Sequence, residues 1–125
     1  MSTIRVYLCD DVAALRLVTR TVLELEPGIE VIGEAGDGRT AATEVAALEP
    51  DVLVLDLSLP ELDGLEVLEE LSTTAPATRI VVFSGYPAEQ LRDAALGRGA
   101  RRYLEKGIDI SEVARAVREV AAEPA

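Results

Sequence analysis

Five short apolar runs alternate with stretches of helical periodicity, and this alternation constrains the fold more than any other feature of the chain. The runs are rich in Val, Ile and Leu and predict buried strands over residues 4–8, 30–35, 52–55, 79–83 and 102–104. Apolar residues at helical spacing follow each run and predict helices over residues 15–25, 42–48, 65–71, 91–95 and 113–120. Five strands that alternate with five helices predict a doubly wound (βα)5 α/β fold, in which helices cover both faces of a parallel sheet.

The length and composition of the chain favour one folded domain. Its 125 residues suit a single domain, and 49% of them are hydrophobic, which argues against intrinsic disorder. No apolar run approaches the roughly 18 residues that a membrane helix needs, and residues 1–5 lack the apolar segment of a signal peptide. We therefore expect a cytoplasmic protein without membrane contact. We expect one domain over residues 1–125, with a core over about residues 4–121 and no output domain in this chain.

The residue types that are missing or rare exclude much of the chemistry that a small domain can perform. The sequence contains no His, so a triad with a histidine base and a histidine-ligated zinc are excluded. Its single Cys cannot form an internal disulfide or a CxxC pair. Three Tyr, one Phe, no Trp and a net charge of −11 argue against direct nucleic-acid binding. Carboxylates, hydroxyls, an amine and a hard cation remain as the available chemistry.

The use of lysine is selective. The chain has 12 basic residues, and Lys106 is the only one that is not Arg. An ammonium is a compact point charge, whereas a guanidinium is a planar fork. The single lysine therefore indicates that position 106 requires a compact cation. A chance surface lysine is the alternative interpretation.

Polar side chains follow four of the five predicted strands. The exception is the second strand, which ends in Ala35 and Gly36 and is an edge strand in the order 2-1-3-4-5. Ligands of open α/β sheets bind beyond the carboxyl ends of the strands, so these side chains predict one shared site. The groups are Cys9-Asp10-Asp11, Asp56, Ser84 and Glu105-Lys106.

Each of these polar residues also has a structural explanation. Asp10 or Asp11 could cap the first helix, and Ser84 could be a turn residue. Asp56 is harder to explain in this way, because it ends a buried apolar run well before the next helix. Three carboxylates that meet in one crevice repel one another, and a hard divalent cation such as Mg²⁺ relieves that repulsion. With an ammonium and a hydroxyl nearby, the set suits phosphoryl transfer, with Asp56 as a candidate nucleophile.

In order and spacing, these motifs resemble the receiver domain of two-component response regulators, the CheY-like family. The resemblance extends from Arg5 to about Val120. The segment over residues 31–38 is similar to receivers that usually precede a helix-turn-helix output domain. The motifs are Cys9-Asp10-Asp11, Asp56-Leu-Ser-Leu-Pro60-Glu-Leu-Asp63-Gly64, Phe83-Ser84-Gly85 and Tyr103-Leu-Glu-Lys106.

The resemblance implies a flavodoxin-like three-layer sandwich and a role for each matching residue. It implies that Asp56 accepts a phosphoryl group from the phosphohistidine of a sensor histidine kinase or phosphotransfer protein. Mg²⁺, with Mn²⁺ as the alternative cation, would be bound by Asp11 and Asp56, by Asp10 partly through water, and by the Ser58 backbone carbonyl. This chain would be a signalling domain rather than an enzyme, apart from its own phosphotransfer and dephosphorylation.

The resemblance also implies how the phosphoryl group is sensed. Lys106 would pair with the phosphoryl oxygens, Ser84 would hydrogen-bond them after the switch, and Tyr103 matches the aromatic switch position. Ser58 and Tyr86 occupy positions that tune phosphoryl lifetime. The implied output is a change of the surface formed by the fourth and fifth helices and the fifth strand, with a phosphorylation-dependent homodimer as one outcome.

The sequence departs from the family at Gly107, where many receivers have Pro, and this predicts a freer loop after the fifth strand. Gly85 leaves room for a bulky phosphodonor.

A phosphatase of the haloacid-dehalogenase class is the enzyme alternative, but Ser58 stands where its general acid is needed. A dinucleotide-binding module would need GxGxxG after the first strand, which is missing. A receiver-like domain that acts by binding alone is the third alternative.

Overall fold

A computed structural model describes residues 3–124 and contains ten regular elements in strict β/α alternation. Together they form one five-stranded parallel sheet with the order β2-β1-β3-β4-β5. This confirms the predicted doubly wound fold and its strand order. The elements are β1 Ile4–Cys9, α1 Ala13–Glu24, β2 Ile29–Ala35, α2 Gly38–Leu48, β3 Val52–Leu55, α3 Gly64–Thr74, β4 Arg79–Ser84, α4 Ala88–Gly97, β5 Ala100–Glu105 and α5 Ser111–Ala121.

Each face of the sheet has its own hydrophobic core. Successive side chains of a strand point to opposite faces, so the buried apolar strands contribute to both cores. In β3, Leu53 and Leu55 face α2 and α3, while Val52 and Val54 face α1 and α5. All four side chains are at most 4% exposed. The apolar sequence of β3 therefore follows from burial on both faces, and the first polar residue after it marks the strand's end.

The strands differ from the prediction mainly at β5. The predicted strand over residues 102–104 is six residues long in the structure, because Ala100 and Arg101 precede it and Glu105 follows it. Ala100 pairs with Ile80 of β4, and Glu105 pairs with Ser84. Arg101 and Arg102 are partly buried and form ion pairs with Glu123. A long side chain can be partly buried while its charged end stays paired, a pattern that hydrophobic periodicity does not detect.

The loop from β3 to α3 is held close to the sheet by Gly64, the first residue of α3. A Cβ atom at this position would lie 2.4 Å from the Leu57 Cα atom and 2.7 Å from the Asp56 carbonyl oxygen. The Gly64 N–H also donates to the Leu57 carbonyl oxygen at 3.0 Å. The missing side chain therefore lets the backbone after Asp56 pack directly against the start of α3. Asp63 caps this helix by accepting a hydrogen bond from the Glu66 N–H at 3.0 Å.

Within residues 3–124, none of the helices combines the length and the apolar character that crossing a membrane requires.

A buried tyrosine links β1 to α2. The Tyr7 side chain is fully buried, and its hydroxyl donates a hydrogen bond to the Glu44 carboxylate. Burial and the Glu44 contact raise the pKa of Tyr7 far above its usual value of 10.0. The folded protein therefore keeps a proton that the unfolded chain releases above about pH 10.

Replacing Tyr7 with Phe is expected to make stability less sensitive to alkali. The stability linked to this raised pKa is complete below pH 10 and is lost as the pH rises above it, at up to about 1.4 kcal/mol per pH unit. Between pH 10 and 11, urea unfolding should show the wild type losing about 1 kcal/mol more than Tyr7→Phe. Tyr86→Phe, which removes an exposed hydroxyl, should keep the wild-type slope. Equal slopes for wild type and Tyr7→Phe would contradict this assignment.

Candidate functional site

Asp56 lies directly after β3, at the carboxyl edge of the sheet, and is 3% exposed. Its backbone N–H donates to the Cys9 carbonyl oxygen at 2.9 Å, which continues the pairing between β1 and β3. Its Oδ1 accepts a hydrogen bond from the Ser58 N–H at 3.1 Å, and its Oδ2 accepts one from Lys106 Nζ at 3.0 Å. Burial raises the pKa of Asp56, while the contacts with Ser58 and Lys106 oppose this effect. Asp56 is thus a buried carboxylate with one strong cationic partner.

Lys106 is held between two carboxylates. Its Nζ atom lies 2.9 Å from Asp10 Oδ2 and 3.0 Å from Asp56 Oδ2, and its side chain is 20% exposed. Its backbone N–H donates to the Ser84 carbonyl oxygen at 2.7 Å, so the residue extends the β4–β5 pairing by one position. Burial alone would lower the pKa of Lys106, but its contacts with Asp10 and Asp56 raise it above its usual value. These contacts contradict the interpretation as a chance surface lysine.

Asp10 and Asp11 occupy the loop between β1 and α1 and face different surroundings. Asp10 is 7% exposed, and its Oδ1 accepts a hydrogen bond from the Val12 N–H at 2.8 Å. Asp11 is exposed to solvent. Helix α1 begins only at Ala13, and its N-cap residue is Val12, whose side chain makes no capping hydrogen bond. The interpretation of either aspartate as the cap of the first helix is therefore wrong.

The three aspartates form one cluster. Asp10, Asp11 and Asp56 each offer a carboxylate oxygen, and these oxygens all lie within 4.8 Å of one another. Oxygen donors of this kind, with one carboxylate open to solvent, suit a hard cation that keeps several water ligands. The donor set therefore fits Mg²⁺, and Mn²⁺ is compatible with the same oxygens.

An open groove gives access to this cluster from solvent. It encloses about 410 Å³ and is lined by Asp11, Val12, Asp56, Ser58, Gly85, Tyr86 and Lys106. A Cβ atom at Gly85 would meet no atom within 4 Å, so the groove is open next to this residue. Ser58 and Tyr86, the predicted lifetime-tuning residues, are both exposed groove residues. The role of the Ser58 carbonyl oxygen stays a prediction.

Ser84 and Tyr103 meet at the backbone of Tyr86. Ser84 is fully buried at the end of β4, and its Oγ accepts a hydrogen bond from the Tyr86 N–H at 3.1 Å. The Tyr103 hydroxyl donates to the Tyr86 carbonyl oxygen at 2.8 Å. Burial raises the pKa of Tyr103, and the neighbouring Ser84 opposes this shift. The loop after β4 therefore joins the two predicted switch residues through its main chain.

Glu105 is a site-adjacent residue to which sequence reasoning assigned no role. Its carboxylate accepts a hydrogen bond from the Ala88 N–H at 2.6 Å, at the start of α4. A carboxylate that accepts a hydrogen bond at a helix N-terminus is stabilised by the partial positive charge at that end of the helix. This contact spans 17 positions, so no local sequence signal predicts it. It ties α4 to the residue that precedes Lys106.

Gly107 has a backbone conformation that proline does not adopt. Its φ angle is +107°, in the region that glycine occupies readily. Proline is restricted to φ values near −65°. The backbone after β5 therefore takes a conformation at Gly107 that a proline at the same position could not take.

Comparison with known proteins agrees with this geometry. The family model of the response regulator receiver domain matches residues 6–118. A protein-glutamate methylesterase/protein-glutamine glutaminase 5 of Myxococcus xanthus is 49% identical over 107 residues, which cover 85% of this chain and 31% of that protein. The nitrate/nitrite response regulator protein NarL of Escherichia coli K12 is 36% identical over 117 residues, which cover 94% of this chain and 54% of that protein. The chain thus spans about a third to a half of the length of these curated relatives.

A solved structure gives the same result for the fold. The signal receiver domain of the putative response regulator NarL from Mycobacterium tuberculosis matches with a TM-score of 0.93 and 30% identity, over 99% of this chain and 100% of that one. The family match covers most of the chain, and the acidic cluster lies at the carboxyl edge of the sheet. The chain therefore belongs to the family of response regulator receiver domains, the phosphoacceptor domains of two-component systems.

Proposed function

We propose that Asp56 is the residue that accepts the phosphoryl group, from the phosphohistidine of a sensor histidine kinase or a phosphotransfer protein. The observation that carries this assignment is a buried strand-end carboxylate in contact with Lys106 and close to two further acids. In the reaction, an Asp56 carboxylate oxygen forms a bond to phosphorus, and the bond between phosphorus and the histidine nitrogen breaks. Its electron pair stays with the imidazole, which leaves.

Asp11, Asp56 and Asp10 are the residues that would hold the cation, with the Ser58 backbone carbonyl as a further donor. A bound Mg²⁺ supplies positive charge that offsets the repulsion between the Asp56 carboxylate and the phosphoryl oxygens. Asp10 is already engaged by the Val12 N–H and by Lys106, which suits contact with the cation through water. Asp11 is exposed and suits direct contact.

Lys106 is proposed to pair with the phosphoryl oxygens. It already lies 3.0 Å from the carboxylate oxygen Oδ2 of Asp56, so it needs little movement to follow the added charge. Ser58 and Tyr86 line the same groove and control how water reaches the phosphoryl group, which sets its lifetime. Residues 1–125 are proposed to act as a single receiver domain in the cytoplasm that controls an output domain or partner, without itself binding nucleic acid.

The test is exposure of the purified chain to a small phosphodonor such as acetyl phosphate, followed by intact mass measurement with and without Mg²⁺. A single phosphoryl adduct that requires the cation is expected. Continuous phosphate release without a detectable adduct would instead indicate a phosphatase. Failure to form an adduct with Mg²⁺ and excess donor would indicate a domain that acts by binding alone.

The proposed output is a change of the surface formed by α4, β5 and α5. A phosphoryl group on Asp56 replaces one negative charge with about two, and the buried hydroxyl of Ser84, whose carbonyl accepts the Lys106 N–H, can turn toward it. This would release the Tyr86 N–H from Ser84 and disturb the carbonyl that holds the Tyr103 hydroxyl. The rearranged surface then binds a partner, with a second copy of the chain as the proposed partner.

Ser84→Ala is expected to uncouple this surface from the site. In the wild type, a beryllofluoride mimic of the phosphoryl group should change amide exchange across α4 and β5. Ser84→Ala should lose most of that change, because no hydroxyl links the site to Tyr86. Ser72→Ala, which removes an exposed hydroxyl on α3, is the matched control. An unchanged response in Ser84→Ala would refute the coupling, and changes centred on α1 and α5 would place the output there.

A further inference from the structure

Arg16 on α1 reaches the main chain of the acidic loop. Its Nη1 atom donates a hydrogen bond to the Asp10 carbonyl oxygen at 2.6 Å. Its Nε atom donates to Glu34 Oε1 on β2 at 2.8 Å. One guanidinium therefore bridges the edge strand of the sheet and the peptide that joins Asp10 to Asp11.

The surroundings of Arg16 differ from those of an ordinary surface arginine. Its side chain is 20% exposed. Together with Asp10 and Asp56 it lines a small cavity of about 10 Å³ beneath the acidic cluster. A Cβ atom at Gly36 would lie 3.3 Å from Arg16 Nη1, so the guanidinium fits where the chain after β2 carries no side chain.

We propose that Arg16 is a positioning residue of the cation site, and this inference rests on the function proposed above. Held by Glu34, it fixes the Asp10–Asp11 peptide, from which two of the three carboxylates project. The Asp10 N–H is already bonded to the Ala35 carbonyl oxygen at 3.1 Å, and the Val12 N–H to Asp10 Oδ1 at 2.8 Å. The hydrogen bond from Arg16 fixes the Asp10 carbonyl oxygen, which lies in the backbone between the Asp10 N–H and the Val12 N–H. Asp11 is exposed, so its orientation depends on this backbone.

The direction of the change in Mg²⁺ affinity distinguishes a positioning role of Arg16 from a purely electrostatic one. Arg16 is a cation near three carboxylates, so Coulomb repulsion alone makes it oppose Mg²⁺ binding. Removing its charge would then strengthen Mg²⁺ binding. If Arg16 positions the loop, removing it weakens Mg²⁺ binding instead, as loss of groups that orient metal ligands commonly does.

Arg20 provides a matched control. Its Nη1 atom contacts Glu34 Oε2, and its Nε atom contacts Glu24, so it belongs to the same ion-pair network. The hydrogen bonds described for its side chain go to these two carboxylates, and the bond to the Asp10 carbonyl comes from Arg16. Arg20→Gln therefore removes the same charge and a contact to the same acceptor, Glu34, while leaving the Arg16 hydrogen bond to the Asp10 carbonyl oxygen intact.

The experiment titrates Mg²⁺ into ¹⁵N-labelled full chain and follows the amide signals of Asp11 and Val12. Arg16→Gln is expected to raise the Mg²⁺ dissociation constant about tenfold, whereas Arg20→Gln should stay close to the wild type. Without Mg²⁺, the Val12 amide should exchange faster in Arg16→Gln. At saturating Mg²⁺, the rate of phosphorylation by acetyl phosphate should return toward the wild-type rate, because Arg16 acts through the loop.

Arg16→Lys keeps the charge and can still pair with Glu34, so it protects the test if Arg16→Gln does not fold. It is expected to weaken Mg²⁺ binding by an intermediate factor, because an ammonium does not span both partners as the guanidinium does. Unchanged or tighter Mg²⁺ binding in Arg16→Gln, or in Arg16→Lys where only that variant folds, would overturn the inference. A wild type that binds no Mg²⁺ and forms no adduct would overturn the proposed function itself.

Discussion

Asp56→Asn is expected to abolish formation of the phosphoryl adduct while leaving the domain folded. The amide cannot supply the carboxylate oxygen that attacks phosphorus, and Asp56 is the carboxylate that lies buried at the end of β3. Intact mass measurement after incubation with acetyl phosphate and Mg²⁺ should show the adduct in the wild type only.

The same substitution should not lower stability, because burial already raises the pKa of Asp56. A raised carboxyl pKa means that folding disfavours the charged form at neutral pH, and the neutral amide removes that cost. The amide oxygen can still accept the Ser58 N–H, which the carboxylate accepts at 3.1 Å. The midpoint of urea unfolding at pH 7 is therefore expected at or above the wild-type value.

A control for this substitution lies at the other end of β3. Asp51 precedes the strand, and its Oδ2 accepts a hydrogen bond from the Arg5 N–H at 2.8 Å. Asp51→Asn makes the same chemical change and keeps an acceptor for this bond. It should leave adduct formation intact. A normal adduct in Asp56→Asn, or its loss in Asp51→Asn as well, would contradict the assignment of Asp56.

The position of the site could be predicted from the sequence because burial leaves a clear pattern there. The run Val52–Leu55 is buried on both faces, so the polar residue that follows it has to mark the strand's end. The same logic placed Asp10 after β1 and Ser84 at the end of β4, and the parallel sheet brings these ends together. Edge position explains why β2 carries no comparable group.

The contacts that tune the site could not be predicted, because they join residues far apart in the chain. Glu105 reaches the start of α4, and Arg16 reaches both Glu34 and the backbone of Asp10. Each is a charged side chain on a partly solvated face, and such residues are usually only solubilising. The sequence shows their type, but only the packing of helices on the sheet shows what they touch.

Local capping signals were also ambiguous near the site. An aspartate shortly before a helix predicts an N-cap, and Asp10 satisfies that pattern. In the structure, Asp10 Oδ1 accepts a hydrogen bond from the Val12 N–H, and Asp10 Oδ2 forms an ion pair with Lys106. A long-range ion pair with Lys106, 96 positions away, competes with the local role, and sequence distance hides it.

Lys106→Arg is expected to impair the domain severely although it keeps the charge. The Lys106 ammonium fits between Asp10 Oδ2 at 2.9 Å and Asp56 Oδ2 at 3.0 Å in a side chain that is 20% exposed. A guanidinium is larger, and its fork tends to bind a carboxylate with two parallel hydrogen bonds. It would hold the Asp56 carboxylate and occupy space that the phosphoryl oxygens need. We expect adduct formation to slow at least about tenfold, which corresponds to about 1.4 kcal/mol in the barrier.

The measurement is the initial rate of adduct formation with acetyl phosphate at saturating Mg²⁺, followed by the amide-exchange response to beryllofluoride. Lys106→Arg should reduce both, because the ammonium contacts Asp56 directly and a guanidinium would change the geometry of that contact. Arg39→Lys, at a 54% exposed guanidinium on α2, makes the reverse exchange away from both the groove and the proposed output surface and should change neither. Since both variants conserve net charge, a selective loss in Lys106→Arg can arise only from the shape and hydrogen-bond geometry of the cation. Wild-type rates and a wild-type exchange response in Lys106→Arg would mean that any cation at this position suffices.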